Sequence, residues 1–429
     1  MANWRGRSRF SGLLLATVAA ATISAMQAGS QFVTATDWSG RGTWLRADFH
    51  THTQFSDGVH SVETVVAAAA RHGCDVVAIT DHSDRSRLRT AEYVDAIRAA
   101  RAQHPGITVV TGIEWNVSPG KGTEHATILF PSADEGADVL LRFKDRFDDR
   151  PNNDPPAQPA GTALVSLIPT GDRALAPVVF FNHPSRFPDT PSAPALTLDA
   201  LQAAAPSILI GIEGGPGHQR AARHGLYPEG VLIDRWDPLA AQIGGAWDRW
   251  LGQGLNVWAA IANSDFHDDG TNDFWPCEFA STWVYAPDRT VDGVIRAMRA
   301  GSFFAEHGHI VSNLAFQASV PGLTRPAHAG ETIAARAGSK VNVSLRLETP
   351  TTDFLGRANR IDNVELIAIS NDRSDVLYNG PPSTPMAFSV ELTVPQRGLV
   401  VRARGRRNVE GEPALMFFTN PIRITVSDR

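Results

Sequence analysis

Histidines and carboxylates recur along the first two thirds of this 429-residue chain in short, closely spaced groups. Asp48-Phe49-His50-Thr51-His52 is followed by Asp57 in Ser-Asp-Gly. Thr80-Asp81-His82, Gly112-Ile113-Glu114, His125, Asn182-His183-Pro184 and Ser264-Asp265-Phe266-His267 come after it. Residues two apart on an extended chain face the same side, so His50 and His52 can grip one ion between them. Imidazole and carboxylate donors without thiolates suit zinc, manganese or iron, with bonds of about 2.0–2.2 Å. Ions held this way acidify bound water and polarise an electrophile, so the chemistry to expect is hydrolysis.

One isolated histidine would more often be a structural residue. The argument gains from where the groups fall. Apolar, β-branched runs at Leu45–Phe49, Val76–Thr80, Ile107–Ile113, Ala126–Phe130, Val178–Phe181, Ile208–Ile212 and Val257–Asn263 read as strands. Ser61–Arg71 and Ala91–Gln103 read as helices, with Ser61 placed to cap the first and Gly73 to stop it. Most of the strands deliver His, Asp or Glu at their C-terminal ends, where parallel α/β barrels carry their active sites. His125 opens its run instead of closing it, so that strand would return antiparallel from the Glu114 end. Residues 43–311 therefore read as an α/β domain. The Pro-, Asn- and Asp-rich stretch Asp148–Thr162 reads as an exposed insertion loop. After Ser312 the helical periodicity gives way to Lys340–Glu348, Asn363–Ile369, Phe388–Thr393, Leu399–Arg404 and Ile422–Val426, so residues 312–429 read as an all-β sandwich.

Composition narrows the partners. The chain is 43% hydrophobic and 20% charged, as a folded globular protein is, and its net charge of −6 offers no basic field for nucleic acid. Arg5, Arg7 and Arg9, the apolar stretch Leu13–Ala25 and the small residues Ala28, Gly29 and Ser30 read as a secretory signal over residues 1–28. The mature chain is then expected outside the cytoplasm, periplasmic or secreted, without stable membrane insertion, since the apolar run is too short to span. Cys74 and Cys277 are too few for a disulfide framework. Cys74 reads as a small buried side chain beginning a strand, and pairing with Cys277 is left open.

The ordered set of motifs, from about Thr43 to His309, resembles the PHP (polymerase and histidinol phosphatase) superfamily of metallohydrolases. The resemblance implies a distorted barrel of seven β/α units and two or three divalent metal ions. One metal would take His50, His52, Glu114 and Asp265. A second would share Glu114 and add His125 and His183, and a third would take Asp57, His82 and His267. Asp48 and Asp81 would orient the neighbouring histidines. Thr282–Gly301 and Phe417–Ile422 are similar to the exported carbaryl-hydrolase branch, which appends a β-sandwich to the barrel.

The expected function is hydrolysis of a small-molecule phosphoester by a metal-activated hydroxide, with Glu114 and Asp265 as catalytic carboxylates. Arg186, three residues beyond His183, reads either as a third catalytic group clamping a phosphate oxygen or as a surface arginine in a loop. The alternatives are an aryl carbamate or carboxylic ester hydrolase, as the carbaryl branch implies, and a metal-stabilised binding protein without catalysis. Glu213 stays outside the metal set. His218, His307 and His309 read as structural or solvent-facing, Asp268-Asp269 as a solvated loop, and the tryptophans between Trp236 and Trp258 chiefly as core. Oligomeric state is not legible in the sequence.

Overall fold

The computed structural model describes residues 35–132, 136–170, 175–186, 193–220, 227–270, 273–371, 373–383 and 385–427. The expected signal over residues 1–28 lies outside them. No helix among the described residues is long and apolar enough to cross a membrane.

β1 (Thr43–Asp48) and β2 (Val76–Ile79) lie parallel, and β2 pairs parallel with β3 (Thr108–Asn116). The run Val-Val-Ala-Ile of β2 is buried throughout, as a strand covered on both faces must be. The crossovers are α1 (Val62–Arg71) and α2 (Thr90–Gln103). Ser61 caps α1 by accepting from the Thr64 N–H at 3.2 Å, and α1 buries Val62, Val65, Val66, Ala68 and Ala69 against the sheet. β4 (His125–Leu129) runs antiparallel to β3, as the position of His125 at its start suggests. β5 (Val178–Phe181) is antiparallel to β4 and parallel to β6 (Leu209–Ile212). α3 (Ala137–Phe147), α4 (Ala160–Ser166) and α5 (Ala193–Ala204) fill the connections.

Two expectations need correction here. Val257–Asn263 is not a strand. Its segment touches β6 through a bridge at Gly211–Trp258, the following turn at Gly215–Ala262, and the end of β1 at Thr51–Phe266, each a single bridge. The backbones still bond at ordinary lengths, 2.8 Å from Trp258 N to the Ile210 carbonyl, but only glycine fits: a Cβ on Gly211 would lie 1.9 Å from the Trp258 carbonyl oxygen, and one on Gly214 2.1 Å from that of Ala259. In the place of a seventh strand the described residues have this bridged segment, between β6 and the end of β1. The Asp148–Thr162 stretch is not uniformly exposed either. Asp148 and Asp149 are fully buried because several donors converge on their carboxylates, and Ala160 already begins α4.

After α6 (Pro238–Ala241) and α7 (Ala246–Gly252), β7 (Ala280–Ala286) pairs antiparallel with the other edge of β1. α8 (Val291–Ala300) then leads back into β8 (Phe303–His307), antiparallel to β7. The remainder is β-rich: β9 (Asn313–Ser319), β10 (Ala327–His328), β11 (Thr332–Ala335), β12 (Lys340–Glu348), β13 (Asn363–Ser370), β14 (Arg373–Gly380), β15 (Met386–Thr393), β16 (Leu399–Val409), β17 (Glu412–Thr419) and β18 (Ile422–Val426). β10, β9, β12 and β15 form their own four-stranded sheet. The others continue the first sheet, because β17 pairs with β8 through Phe417–Glu306 and Phe418–Ala305. The tail is thus stitched into the α/β region. Arg402 of β16, fully buried, meets Asp248 of α7 at 2.7 Å. Trp236, Trp247, Trp250 and Trp258 are all buried in the core, as expected.

Cys74 and Cys277 are bonded, which ties the turn before β2 to the turn before β7 across 203 residues of sequence. Closing so long a loop restricts the unfolded chain, an effect worth about 2–4 kcal/mol in typical proteins. Replacing both cysteines with serine is expected to lower unfolding free energy by about that amount. Denaturant titration of the oxidised protein and the double variant measures it, and equal midpoints would refute it.

Candidate metal centre

The end of β1 is fixed before any histidine is considered. The Phe49 N–H donates to Asn263 Oδ1 at 2.8 Å. The buried Asp48 carboxylate accepts from the backbone N–H groups of His50 at 3.1 Å and Ser264 at 2.9 Å. Burial pushes its pKa up to about 7 against these hydrogen bonds. Asp48 therefore ties the His50 strand to the Asp265 turn instead of holding an imidazole. Asp81 also differs from expectation: it accepts from Thr53 N, Thr53 Oγ1 and Ser56 Oγ, and so braces the turn leading to Asp57. The residue facing an imidazole from behind is Glu213. Its Oε1 lies 3.3 Å from His50 Nδ1 and accepts from Asn263 Nδ2 at 3.0 Å, while its Oε2 accepts from the His183 N–H at 3.0 Å. With Nδ1 turned to Glu213, His50 presents Nε2 to the pocket.

All nine histidines and carboxylates read from the sequence as metal ligands come together. Glu114, 1% exposed, stands at their centre. Its Oε1 lies 3.2 Å from His50 Nε2, 3.1 Å from His125 Nδ1 and 3.3 Å from His183 Nε2, and accepts from Asn182 Nδ2 at 2.8 Å. Its Oε2 lies 3.2 Å from His52 Nε2 and 3.0 Å from His82 Nδ1. Asp265 Oδ1 is 3.1 Å from His50 Nε2 and 3.2 Å from His52 Nε2. Asp57, more exposed at the rim, lies 3.4 Å from both His82 Nε2 and His267 Nε2, and 3.3 Å from His52 Nδ1.

These separations match the edges of a coordination polyhedron. Bonds of about 2.1 Å put neighbouring donors roughly 3.0 Å apart in an octahedron and 3.4 Å apart in a tetrahedron. His50 Nε2 and His52 Nε2 face each other at 3.2 Å, and both face Asp265 Oδ1. A neutral imidazole has one N–H to share between two nitrogens, so this concentration of lone pairs fits a cation between them. Asp265 Oδ1 and His82 Nδ1 are buried without a hydrogen-bond partner among the described residues. Three such donor sets overlap: His50, His52 and Asp265; His82, Glu114 and His125; and His52, Asp57, His82 and His267.

Electrostatics separate the deep wall from the rim. Burial opposes protonation of His50, yet Asp265, Glu114 and Glu213 outweigh it and hold its pKa well above the usual imidazole value. The same contest at His52, with Asp265, Asp57 and Glu114, ends the same way. His183 goes the other way: burial, reinforced by Arg186, takes it down to about 3 despite Glu114. His82 is lowered chiefly by burial. Burial works against ionising Glu114, but His125, His82 and His50 keep its pKa well below the carboxylate range. The deep wall thus draws positive charge, while His82 and His183 stay in the neutral form that ligates metal.

His218 escaped the sequence reading, which made it structural or solvent-facing. Its Nε2 lies 2.8 Å from Asp265 Oδ2 and its Nδ1 bonds Asp273 Oδ1. The other oxygen of Asp273 accepts from the N–H groups of His267 at 2.7 Å and Asp268 at 3.0 Å. Burial opposes its protonation, but Asp265 and Asp273 raise its pKa to about 10. The contact exists because residue 217 is glycine: a Cβ there would lie 2.1 Å from Asp265 Cβ. His183, His218 and Asp265 all sit in the left-handed region, with φ of 29°, 56° and 48°. Such strain persists only where surrounding structure enforces it. The glycine-rich turn Gly214-Gly215-Pro216-Gly217 directly before His218 was the available sequence signal.

The cluster opens into a cavity of about 340 Å³, also lined by Asp84 and by Arg87, Arg150 and Arg186. Arg186 thus lies at the pocket, and its N–H donates to the His183 carbonyl at 3.1 Å. A second cavity of about 330 Å³, lined by Trp38, Ile210 and Ala300 among others, contains no histidine. His307 is fully buried, with its ring against Trp236 and Phe279, and stays outside the site. His60 pairs with Asp269 at 3.0 Å on an exposed loop, consistent with the solvated reading of that stretch.

Fold and site together define an α/β scaffold whose strand ends converge on a histidine–carboxylate metal-binding pocket. Residues 48–156 match the PHP domain. Over 82 residues the chain is 27% identical to the DNA polymerase/3'-5' exonuclease PolX of Bacillus subtilis; the match covers 18% of this chain and only 14% of that protein. A solved two-domain protein from Bacteroides vulgatus, described as containing a PHP-like metal-dependent phosphoesterase, is 19% identical with a TM-score of 0.39, covering 90% of this chain and 95% of that one. A Bifidobacterium adolescentis protein assigned as a metal-dependent phosphoesterase gives 21% identity and a TM-score of 0.31 over 53% of this chain and 90% of its own. An amidohydrolase from Chromobacterium violaceum gives 17% and 0.32 over 52% and 88%.

His218→Ala is expected to weaken metal binding about 10- to 100-fold, the usual cost of losing a residue that orients a ligand. Competition with a chromophoric chelator measures it, and wild-type affinity would show that Asp265 needs no such support.

Proposed function

We propose that this chain is an exported, metal-dependent hydrolase of small-molecule phosphoesters. Its metal set is His50, His52, Asp57, His82, Glu114, His125, His183, Asp265 and His267, holding two or three divalent ions of the zinc, manganese or iron type. The supporting observation is Glu114: a buried carboxylate with five imidazole nitrogens 3.0–3.3 Å from its two oxygens has the arrangement of a bridging ligand. Ions held there would supply Lewis acidity and water acidic enough to ionise near neutral pH. The chain's own residues do the rest. Glu213 fixes the His50 ring, Asn182 fixes Glu114, and Asp48 and His218 hold Asp265 in place. Arg186, at the pocket wall, is suited to an anionic substrate oxygen.

Export is favoured by the N-terminal signal pattern and by the Cys74–Cys277 bond, since disulfides persist mainly in oxidising compartments. The segments resembling the carbaryl-hydrolase branch, Thr282–Gly301 and Phe417–Ile422, contribute no residue to the pocket lining. That resemblance therefore gives the carbamate reading no support at the substrate.

Elemental analysis of the purified protein, combined with turnover of an aryl phosphate and an aryl carbamate before and after chelation, tests the reading. The expected result is two or three metals per chain and phosphate hydrolysis abolished by chelation. Glu114→Gln is expected to lose more than the roughly 100-fold that a merely supporting residue costs, together with metal. Carbamate turnover without phosphate turnover would replace phosphoester by ester chemistry. Less than one metal per chain after reconstitution, without turnover, would make this a binding protein.

A further inference from the structure

We propose that Arg150 is a substrate anchor that takes an anionic oxygen beside the metal cluster, making the substrate a phosphate monoester and not an uncharged ester. The inference rests on the phosphoester reading above. Arg150 follows two aspartates that are fully buried. Asp148 Oδ1 accepts from Ser83 Oγ at 2.8 Å and from the Asn116 amide, and Asp148 Oδ2 from the Arg85 N–H at 3.3 Å and Asn153 Nδ2 at 3.1 Å. Asp149 accepts from the Lys121 N–H at 2.9 Å and Nζ at 3.0 Å, while its own N–H donates to the Asn116 carbonyl at 3.0 Å. Ser83 is the residue after His82, and Asn116 lies two beyond Glu114. The loop is thereby pinned to the backbone that carries two of the metal-set residues.

That pinning sets Arg150 at the cavity wall with Asp84, Gly122, His82 and His125. The guanidinium packs over Gly122, where a Cβ would lie 3.2 Å from Arg150 Cδ and 3.3 Å from Nη1. Gly122 in turn faces His125, its carbonyl 3.2 Å from Nε2. The only carboxylate near Arg150 among the described residues is Asp84, whose Oδ2 lies 3.9 Å from Nε, beyond hydrogen-bond reach, while Ser86 takes its Oδ1. The buried Nε of Arg150 has no hydrogen-bond partner among the described residues. A planar donor fork beside a metal pocket, with its buried Nε uncommitted, suits the oxygens of a phosphoryl group. A neutral carbamate or carboxylic ester offers no charge for it. A phosphate monoester offers two negative charges, one set for the ions and one for the fork.

The test is Arg150→Gln and Arg150→Lys in the full metal-loaded protein, read by aryl phosphate kinetics, by inorganic phosphate as inhibitor and by metal content. Arg150→Gln should raise KM and the phosphate inhibition constant about 10- to 100-fold, as expected for a charged hydrogen bond, with metal content and kcat much less changed. Arg150→Lys should recover only part of the loss, because it restores charge without the fork. A phosphate inhibition constant within twofold of wild type overturns the proposal. So does a loss of metal parallel to the loss of phosphate binding, which would make Arg150 a support for His125. Wild type that turns over no phosphoester would instead overturn the preceding functional reading. Calorimetric binding of inorganic phosphate would still decide Arg150.

Discussion

An ionised carboxylate cannot sit among apolar strands unless charge and hydrogen bonds compensate it. Glu114 sits there, 1% exposed, and much of the surrounding chain is arranged around that fact. β3 carries it inward, β4 and β5 return antiparallel to bring His125, Asn182 and His183 against its Oε1, and the turns after β1 and β2 bring His52 and His82 against its Oε2. The same constraint recurs a layer further out. Asp48, Asp81, Glu213 and Asp273 are buried acids without a place in the proposed metal set, and each accepts from backbone N–H groups or side chains of turns packed against it. The site is therefore stiff because its polar groups leave few alternatives.

The candidate ligands were legible because most of them follow apolar runs that read as strands, and the antiparallel return of β4 was legible from His125 opening its run. Helix α1 was legible from Ser61 and its alanine-rich face. What was not legible lay where long-range contacts decide. Val257–Asn263 has the composition of a strand, but it meets β6 and the glycine turn after it through single bridges instead of a ladder. β14 is an edge strand with mostly exposed or half-exposed side chains, so it lacks the alternation that marks a strand. Glu213 and His218 look like isolated loop residues until Asn263, Asp265 and Asp273 come up against them from some fifty residues away. Asp148 and Asp149 look like solvent-seeking turn residues because their donors, Ser83, Asn116 and Lys121, are far off in sequence.

The β-rich tail has a comparable lesson. Its strands were visible from alternation, but their sharing of a sheet with the α/β region was not. Phe417–Glu306 pairing and the buried Arg402–Asp248 contact make the tail a wall of the first unit. Among the described residues the fully buried Arg402 is ion-paired with the aspartate of α7 alone, so tail and helix have to be positioned together.

The Cys74–Cys277 bond partitions the proposed metal set in a way that matters once the backbone is cut. His50, His52 and Asp57 precede the bonded segment, whereas the other six members of the metal set lie within it. Residues 151, 152 and 154–156 are the exposed tip of the Arg150 loop, the kind of sequence that proteases cut. A nick there leaves the two pieces joined covalently, with each still carrying part of the metal set. The cleaved form would remain one particle until reduced, able to keep the nine residues together where an unbridged chain could lose His183, Asp265 and His267 by dissociation.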